Sequence, residues 1–457
     1  MKLPLNHGNP QRNLQFLCLI AAGIVIFPRM ILTAFLPSFR VYQMEEYMVV
    51  PMLLFLGAAL GQQLSPLAKK CLLLGAAMVG WYIVAQTNHL LTHMGTNSFA
   101  NFAVVYLLAF PYAAATEDGR KSWGLKWIGG FYSAYAVLMV MFAGMLMLDA
   151  VPEVLAASVK WEGARVSIFS HPNGGACILL IGIGFTLYFM SQVKKKWAKI
   201  ILGSFAALQI FVQVLTNSRT SILLTCAMIG GILFFMIWNG TWKRFAAGMA
   251  AAVAVIVILF SVFSNLFEMH SDYQIRKVLA QGENGDTQQI TYNEETGEYA
   301  LSGSMVVEQG ELLQDMKTLN SRTLIWGAAI QSLQDNPPIK IWGTEYASAE
   351  ISYRMNAEIV NAHNAWVQIL MELGIPGLLL ALVYTLVGFW NMWKLVWRPQ
   401  EDLGKKIVAL IALCIMLASI LEVYIFTPGM GSTFSNFAFF LCLGYLVQWN
   451  ADAKAAA

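Results

Sequence analysis

The sequence predicts an all-α polytopic membrane protein, and its composition, its apolar runs and the placement of its basic residues each indicate this class. Hydrophobic residues make up 58% of the 457 residues, and charged residues make up only 12%. An ordinary soluble domain carries about 25% charged residues. We therefore expect most of the chain to lie in a lipid bilayer.

Twelve apolar runs are candidate membrane-spanning helices. Such a helix needs about 20 mostly apolar residues. The runs lie near residues 14–36, 47–63, 71–87, 98–115, 127–149, 174–192, 198–216, 220–238, 245–266, 374–393, 407–426 and 433–449. The pattern predicts about 12 transmembrane helices, with nine in residues 1–266, a large loop over 267–373 and three in residues 374–457.

The basic residues predict how these helices are oriented. Lys and Arg accumulate in the cytoplasmic loops of membrane proteins. With the N-terminus in the cytoplasm, alternate loops hold 18 of the 29 basic residues. This distribution predicts that both termini are cytoplasmic and that the 267–373 loop lies on the outer side of the membrane.

The outer loop is long and polar enough to form a small domain. Within it, Ile290 and Tyr292 alternate on one side of a Glu-Glu-Thr-Gly turn, and Tyr299 and Leu301 alternate on the other. Alternation around a glycine-containing turn is typical of a β-hairpin. The loop is therefore predicted to contain a hairpin.

A second element is predicted further along the same loop. Asn320 or Ser321 can cap a helix, and Pro337 and Pro338 end it. Its apolar residues recur at helical spacing, at Leu324, Ile325, Ala328, Ala329 and Leu333. This spacing predicts an amphipathic helix that lies against the membrane surface or against another helix.

The tetrapeptide Asn-Ser-Arg-Thr occurs twice, at residues 217–220 and 320–323. Each copy opens a predicted helix, where free backbone N–H groups favour an anion. The guanidinium groups of Arg219 and Arg322 and the hydroxyl of Ser218 add donors to this setting. The alternative is that these residues cap helices and that the arginines extend towards lipid headgroups.

A third arginine lies on the same predicted side of the membrane. Arg165 precedes a turn that leads into the 174–192 run, and Asn173 is placed to cap that helix. A guanidinium group stays charged and can bind phosphate through two parallel hydrogen bonds. Arg165, Arg219 and Arg322 together therefore predict an outward-facing anion site.

His363 directly precedes a short predicted helix and a glycine- and proline-containing turn. Gly374 is expected to end that helix, and Pro376 to help begin the next one. The positive end of a helix favours a neutral imidazole, which can accept a proton. A lone histidine is more often structural, so its position alone makes His363 a candidate base and no more.

The order of these motifs resembles that of the O-antigen ligase and polysaccharide polymerase family. The resemblance covers about residues 160–395, through HPNGG, NSRTSILL, SRTLIW, NPPIKIWG and AHNAWVQILMELGIPG. Its most specific part has the spacing H-N-x-x-x-Q-x-x-x-E-x-G-I-P-G, which is filled by His363, Asn364, Gln368, Glu372, Gly374, Ile375, Pro376 and Gly377. The insert over residues 283–311 is larger than in compact forms of this loop.

This resemblance implies a GT-C-like inverting glycosyltransferase of the bacterial cytoplasmic (inner) membrane that works without a metal or other cofactor. It would transfer a glycan from an undecaprenyl-diphosphate donor to a sugar hydroxyl of an acceptor at the outer face. His363 would be the base, Arg219 and Arg322 would hold the diphosphate, and Arg165 would assist. The expected supporting residues are Asn173, Ser218, Asn364, Gln368 and Glu372.

Two other classes of function stay open at this point. A glycan or lipid transporter would also have twelve helices, and Glu422 inside the 407–426 run favours such a carrier. A scaffold that binds a partner through the outer loop is supported only by the amphipathic helix. Nucleic acid is not an expected partner, since the net charge is only +3. Within the family, the acceptor could be a preassembled acceptor or a second lipid-linked repeat unit.

Overall fold

Helices dominate the chain in the computed structural model. The model describes residues 10–35, 49–60, 66–88, 100, 102–115, 123–156, 158–162, 165–168, 172–282, 290–293, 298–301, 305–307, 322–344, 346–356, 359, 361–426 and 433–455. The proposed caps Asn320 and Ser321 lie outside the described residues.

The first nine helices, α1 to α9, overlap the first nine predicted runs. Their bounds are α1 Pro10–Phe35, α2 Val49–Leu60, α3 Pro66–Asn88, α4 Phe102–Ala114, α5 Trp123–Met147, α6 Pro172–Gln192, α7 Lys196–Leu215, α8 Arg219–Ile237 and α9 Trp242–Gly282. Helix α9 continues well past residue 266, where the ninth run was predicted to end.

Six further helices follow in the second part of the described chain. Their bounds are α10 Arg322–Asp335, α11 Pro337–Trp342, α12 Ala347–Met355, α13 Ala365–Val396, α14 Leu403–Ala418 and α15 Thr433–Ala455. Helix α10 ends before Pro337, as predicted. It buries Ile325, Ala329 and Leu333.

Within the described part of the chain, seven helices are long and apolar enough to cross a membrane: α3, α5, α6, α7, α8, α9 and α13. The chain is thus a mainly helical polytopic membrane protein, as its composition predicted. The total of twelve membrane-spanning helices stays a prediction.

Helix α6 lies at the centre of the bundle. It packs against α5, α7, α8 and α14, and 72% of its most apolar window is buried, compared with 11% for α9. A helix that is apolar on all sides is stable only when its whole surface is covered or faces lipid. The central position of α6 fixes the place of its first turn, which carries Asn173.

Helix α13 is broken at Gly374, which confirms the predicted stop. Gly374 has φ +66°, and a Cβ atom there would lie 2.2 Å from the carbonyl oxygen of Ile341. Only glycine combines this backbone conformation with such a close approach. The break leaves the carbonyl of Leu373 free to accept a hydrogen bond from Nε1 of Trp81 on α3, at 2.7 Å.

Two small antiparallel sheets lie in the described part of the chain beside the helices. Their strands are β1 Val159–Glu162, β2 Arg165–Ile168, β3 Ile290–Asn293, β4 Glu298–Leu301 and β5 Met305–Val307. In the three-stranded sheet the order is β3-β4-β5, with Tyr292 opposite Tyr299. The pairing of β1 with β2, in which Trp161 lies opposite Val166, was not predicted, because strands of four residues give little periodic signal.

Helix α14 ends eight residues earlier than predicted, at Ala418 instead of residue 426. The carbonyl groups of Ser419 and Ile420, which would continue the helix, accept hydrogen bonds from Ala365 and Asn364 at the start of α13 instead. Glu422 therefore lies in the turn after α14 and not inside a membrane-spanning helix, which corrects the position read from the sequence.

Candidate functional site

Glu422 lies between several of the predicted site residues. Its Oε1 accepts a hydrogen bond of 2.5 Å from Nη2 of Arg322 and one of 3.0 Å from Nδ2 of Asn173. Its Oε2 lies 3.0 Å from Nδ1 of His363. The side chains of Arg322 and Glu422 are only 12% and 10% exposed, so water screens their attraction weakly. One carboxylate thus joins the predicted base to a predicted diphosphate-binding arginine.

The contact with Glu422 determines which nitrogen of a neutral His363 ring carries the hydrogen. A carboxylate only accepts hydrogen bonds, so in a neutral imidazole the hydrogen lies on Nδ1 and Nε2 keeps its lone pair. The His363 side chain is 34% exposed, whereas that of Glu422 is 10% exposed. In this tautomer Nε2 is the ring nitrogen that can accept a proton, and it belongs to the more exposed side chain of the pair.

The backbone around His363 adopts a conformation that few residue types tolerate. His363 has φ +47°, and histidine and asparagine are enriched in this region among residues other than glycine. The N–H of His363 donates to Oδ1 of Asn361 at 2.8 Å. The next residue, Asn364, caps α13 by accepting from the N–H groups of Trp366 and Val367. The sharp turn and the cap together fix the backbone on both sides of His363.

The start of α13 is held against the end of α14. Nδ2 of Asn364 donates to the carbonyl of Ile420 at 2.9 Å, and the N–H of Ala365 donates to the carbonyl of Ser419 at 2.9 Å. Glu422 follows two residues after Ile420. These two hydrogen bonds explain why His363 and Glu422 meet although they lie 59 positions apart.

Arg165 and Asn173 extend the cluster on the other side of Glu422. Nη2 of Arg165 donates to Oδ1 of Asn173 at 2.8 Å, and Nε of Arg165 donates to the carbonyl of Thr216 at 2.9 Å. The hydroxyl of Tyr424 donates to the carbonyl of Asn173 at 2.9 Å. Asn173 is the second residue of α6 and does not precede it, so the predicted N-cap position is wrong. Its amide bridges Arg165 to Glu422.

Two predicted residues lie in the turn that Arg165 contacts. Arg219 is the first residue of α8 and follows Thr216 by three positions. Ser218 is buried, and its hydroxyl donates to that of Ser221 at 3.2 Å without capping the helix. The structure therefore places the turn with Arg219 beside Arg165, and it gives Ser218 a partner within α8.

Gln368 and Glu372 have no described hydrogen bond to the His363 side chain. Oε1 of Gln368 accepts from the N–H of Ala362 at 2.8 Å, and Nε2 of Gln368 donates to Oε1 of Glu372 at 2.6 Å. Their described hydrogen bonds reach His363 only through the peptide that precedes it. In the described residues, no group of three His, Cys, Asp or Glu side chains is placed to hold a metal ion.

Glu422 and Tyr424 were missed as site residues. The signal for Glu422 was present, since a carboxylate in an apolar run is a functional candidate by default. It was interpreted as support for a carrier, because the sequence does not show that His363, Arg322 and Asn173 surround it. Tyr424 carries no such signal.

Comparison with known proteins finds a match for part of the chain. No curated protein and no solved structure matches it. A family model described as O-antigen ligase matches residues 204–382, which include Arg219, Arg322 and His363, whereas Arg165, Asn173 and Glu422 lie outside the match. Residues 204–382 are therefore similar to the O-antigen ligase family, in agreement with the family that the motifs indicated.

Proposed function

We propose that the chain is an inverting membrane glycosyltransferase, of the O-antigen ligase or polysaccharide polymerase type. It transfers a glycan from an undecaprenyl-diphosphate donor to a sugar hydroxyl of an acceptor. The observation that carries the proposal is the connected cluster His363–Glu422–Arg322, with Asn173 and Arg165 joined to the same carboxylate. A family match alone gives the class of the reaction and not the groups that perform it.

In this proposal His363 removes the acceptor proton. The acceptor oxygen attacks the anomeric carbon of the donor glycan while its hydrogen moves to Nε2 of His363. Glu422 holds the other ring nitrogen at 3.0 Å and stabilises the positive charge that the ring gains. General base catalysis of this kind contributes about 10²–10⁴-fold.

The arginines stabilise the leaving group. As the bond from the anomeric carbon to the diphosphate oxygen breaks, that oxygen keeps the electron pair and the diphosphate gains negative charge. Positioned guanidinium groups stabilise such charge most strongly where water is excluded. Arg322 uses Nη2 for Glu422, and its other N–H groups have no hydrogen bond within the described part of the chain. We assign those groups and Arg219 to the diphosphate, without a metal.

The membrane side follows from the distribution of basic residues. His363 and Arg322 belong to the loop predicted to face outwards, and Lys194, Lys195 and Lys196 lie at the other end of α6. We therefore place the reaction at the outer face of a bacterial cytoplasmic membrane, with both termini in the cytoplasm. The contacts of Glu422 give it a role in this cluster, so it no longer favours a carrier.

The test replaces His363 with Asn. Asn tolerates the positive φ of this position and removes the base, so we expect folding to be kept and glycan transfer to fall at least about 10²-fold. The purified protein in proteoliposomes is given lipid-linked glycan from the producing cells, and release of undecaprenyl diphosphate and glycosylation of the acceptor are measured.

The matched control is His270→Asn. His270 lies on α9, where its ring packs against that of Trp161 at 5.1 Å, and we expect this variant to transfer glycan like the wild type. Full transfer by His363→Asn would remove His363 from the mechanism. EDTA is expected to leave the rate of glycan transfer by the wild type unchanged. Loss of transfer in the presence of EDTA would disprove metal independence.

A further inference from the structure

We propose that Trp326 and Gln368 are positioning residues that clamp the peptide before His363 and so aim the imidazole. The inference rests on the proposed function, because it assigns these residues to the alignment of that base. The carbonyl of Ala362 accepts a hydrogen bond from Nε1 of Trp326 at 2.9 Å. The N–H of Ala362 donates to Oε1 of Gln368 at 2.8 Å. Both polar groups of one buried residue are thus held by side chains.

The clamp is needed because the turn that it holds is unfavourable by itself. Ala362 is fully buried, so its N–H and carbonyl must find partners inside the protein. His363 follows at φ +47°, a conformation that is unfavourable for a residue other than glycine and persists only when its surroundings fix it. A small rotation of the preceding peptide would move the ring nitrogens relative to Glu422.

Glu372 fixes the orientation of the Gln368 amide. The N–H of Ala362 is a donor, so the oxygen of the Gln368 amide must face it, and the NH₂ group must then point to an acceptor. Oε1 of Glu372 is that acceptor, at 2.6 Å. Gln368 is 4% exposed, so water cannot replace this partner easily. The pair therefore presents one defined acceptor to Ala362.

Trp326 lies on the same helix as Arg322, a proposed donor-binding residue. It lies four residues after Arg322 on α10, and side chains at this spacing share one face of a helix. Arg322 contacts Glu422, and Trp326 contacts Ala362. The helix that offers a guanidinium group to the diphosphate therefore also holds the peptide that aims the base. We expect substitutions in the clamp to change the rate of the chemical step and not donor affinity.

The experiment compares Trp326→Phe and Gln368→Met with matched controls. Trp326→Phe keeps an aromatic ring and removes the N–H, and Gln368→Met keeps the length and removes both polar groups. Trp238 also donates Nε1 to a carbonyl, that of Val396 at 2.9 Å, and Gln448 also donates to a carboxylate four residues on, Oδ1 of Asp452 at 2.9 Å. Trp238→Phe and Gln448→Met therefore remove equivalent hydrogen bonds outside the cluster.

The kinetic result expected is a separation of kcat from KM. Each clamp variant should lower kcat about three- to tenfold, as expected from the loss of one hydrogen bond, and should leave the KM for the lipid-linked donor within about twofold. The controls should match the wild type. Clamp variants that equal the wild type, or that raise KM with kcat unchanged, would overturn the inference. If Trp326→Phe fails to fold, Gln368→Met and its control Gln448→Met decide the outcome.

Hydrogen exchange tests the clamp without any substrate. The amide of Ala362 should exchange faster in Gln368→Met than in the wild type, whereas Gln448→Met should leave its exchange unchanged. Equal exchange in all three proteins would contradict the clamp. If the wild type transfers no glycan, the proposed function fails, and the exchange measurement still shows whether Gln368 holds this peptide.

Discussion

At the scale of single residues, the cluster depends on how one carboxylate is shared. Glu422 accepts from Arg322 and Asn173 with one oxygen and contacts His363 with the other. A buried charge is unfavourable unless an opposite charge pairs with it. The positive charge of Arg322 therefore stabilises the carboxylate of Glu422 at this weakly exposed place. In the proposed mechanism the same carboxylate also orients the base, so two functions of the proposed site depend on a single side chain.

Glu422→Gln should impair both the base and the fold around it. Glutamine keeps the size of glutamate but cannot offer two acceptor oxygens or a charge, so we expect kcat to fall about 10²-fold or more. The loss of one partner from a mostly buried ion pair should also reduce the free energy of unfolding by about 3–5 kcal/mol. Transfer assays and thermal unfolding measure the two effects.

The control for this variant is Asp335→Asn. Asp335 accepts from Nη1 of Arg354, and its side chain is 57% exposed, so removing this surface pair should change the free energy of unfolding by at most about 1 kcal/mol. Equal activity in Glu422→Gln and Asp335→Asn would show that Glu422 does not orient the base.

Arg322→Lys tests the diphosphate contact. Lysine keeps the positive charge and loses the planar fork, so we expect the KM for the donor to rise about ten- to a hundredfold. Arg219→Lys should act in the same direction. Arg354→Lys is the matched control, because Arg354 pairs with Asp335 and Ser332 outside the cluster. Unchanged donor binding in a double Lys variant at 219 and 322 would rule out the arginine contact.

At the scale of elements, the break in α13 connects the site to the rest of the bundle. The first part of the helix carries Gln368 and Glu372, and Gly374 ends it against Ile341 of α11. Gly343 lies equally close to the other side of the break, since a Cβ atom there would be 2.1 Å from the carbonyl oxygen of Glu372. Two glycines therefore let α11 lie directly on the backbone of the broken helix.

Gly374→Ala should separate these two elements. An added Cβ would meet the carbonyl of Ile341, and the residue would be strained at φ +66°, so we expect the free energy of unfolding to fall by more than about 1–2 kcal/mol. Glycan transfer should fall with it, because Gln368 would move.

Gly388→Ala in the same helix is the control for this change. The nearest atom to its Cβ would be 3.5 Å away, on Leu443, which is an ordinary contact. We expect this variant to be as stable as the wild type or more stable by up to about 1 kcal/mol. Identical melting of the two alanine variants would contradict the role given to the break.

At the scale of the whole molecule, the orientation in the membrane decides whether the site meets an externally displayed donor. Tyr353 on α12 is 87% exposed, and Lys195 lies in the exposed turn between α6 and α7. The six native cysteines are buried, so they should react slowly. A membrane-impermeant maleimide should label Tyr353→Cys in intact cells and Lys195→Cys only after lysis. The reverse pattern would place the site in the cytoplasm.

Much of the site could be predicted from local sequence. His363, Asn364, Arg219 and Arg322 lie in short motifs at helix beginnings, where residue type and spacing carry a physical meaning. In the structure Asn364 caps α13, and His363 and Arg322 both contact the carboxylate of Glu422. Asn173 was chosen from the sequence because it could cap a helix. In the structure its amide donates instead to Glu422, a residue 249 positions away.

The sequence by itself determined the membrane class, the approximate places of the long apolar helices, the break at Gly374 and the residues of the family motif. Periodicity, helix ends and apolar length are local properties, so one stretch of chain is enough to read them. Only the tertiary structure decided that Glu422 joins His363, Arg322 and Asn173 and that Trp326 and Gln368 hold Ala362. These contacts join residues from separate helices and turns, and packing of the bundle alone determines which of them meet.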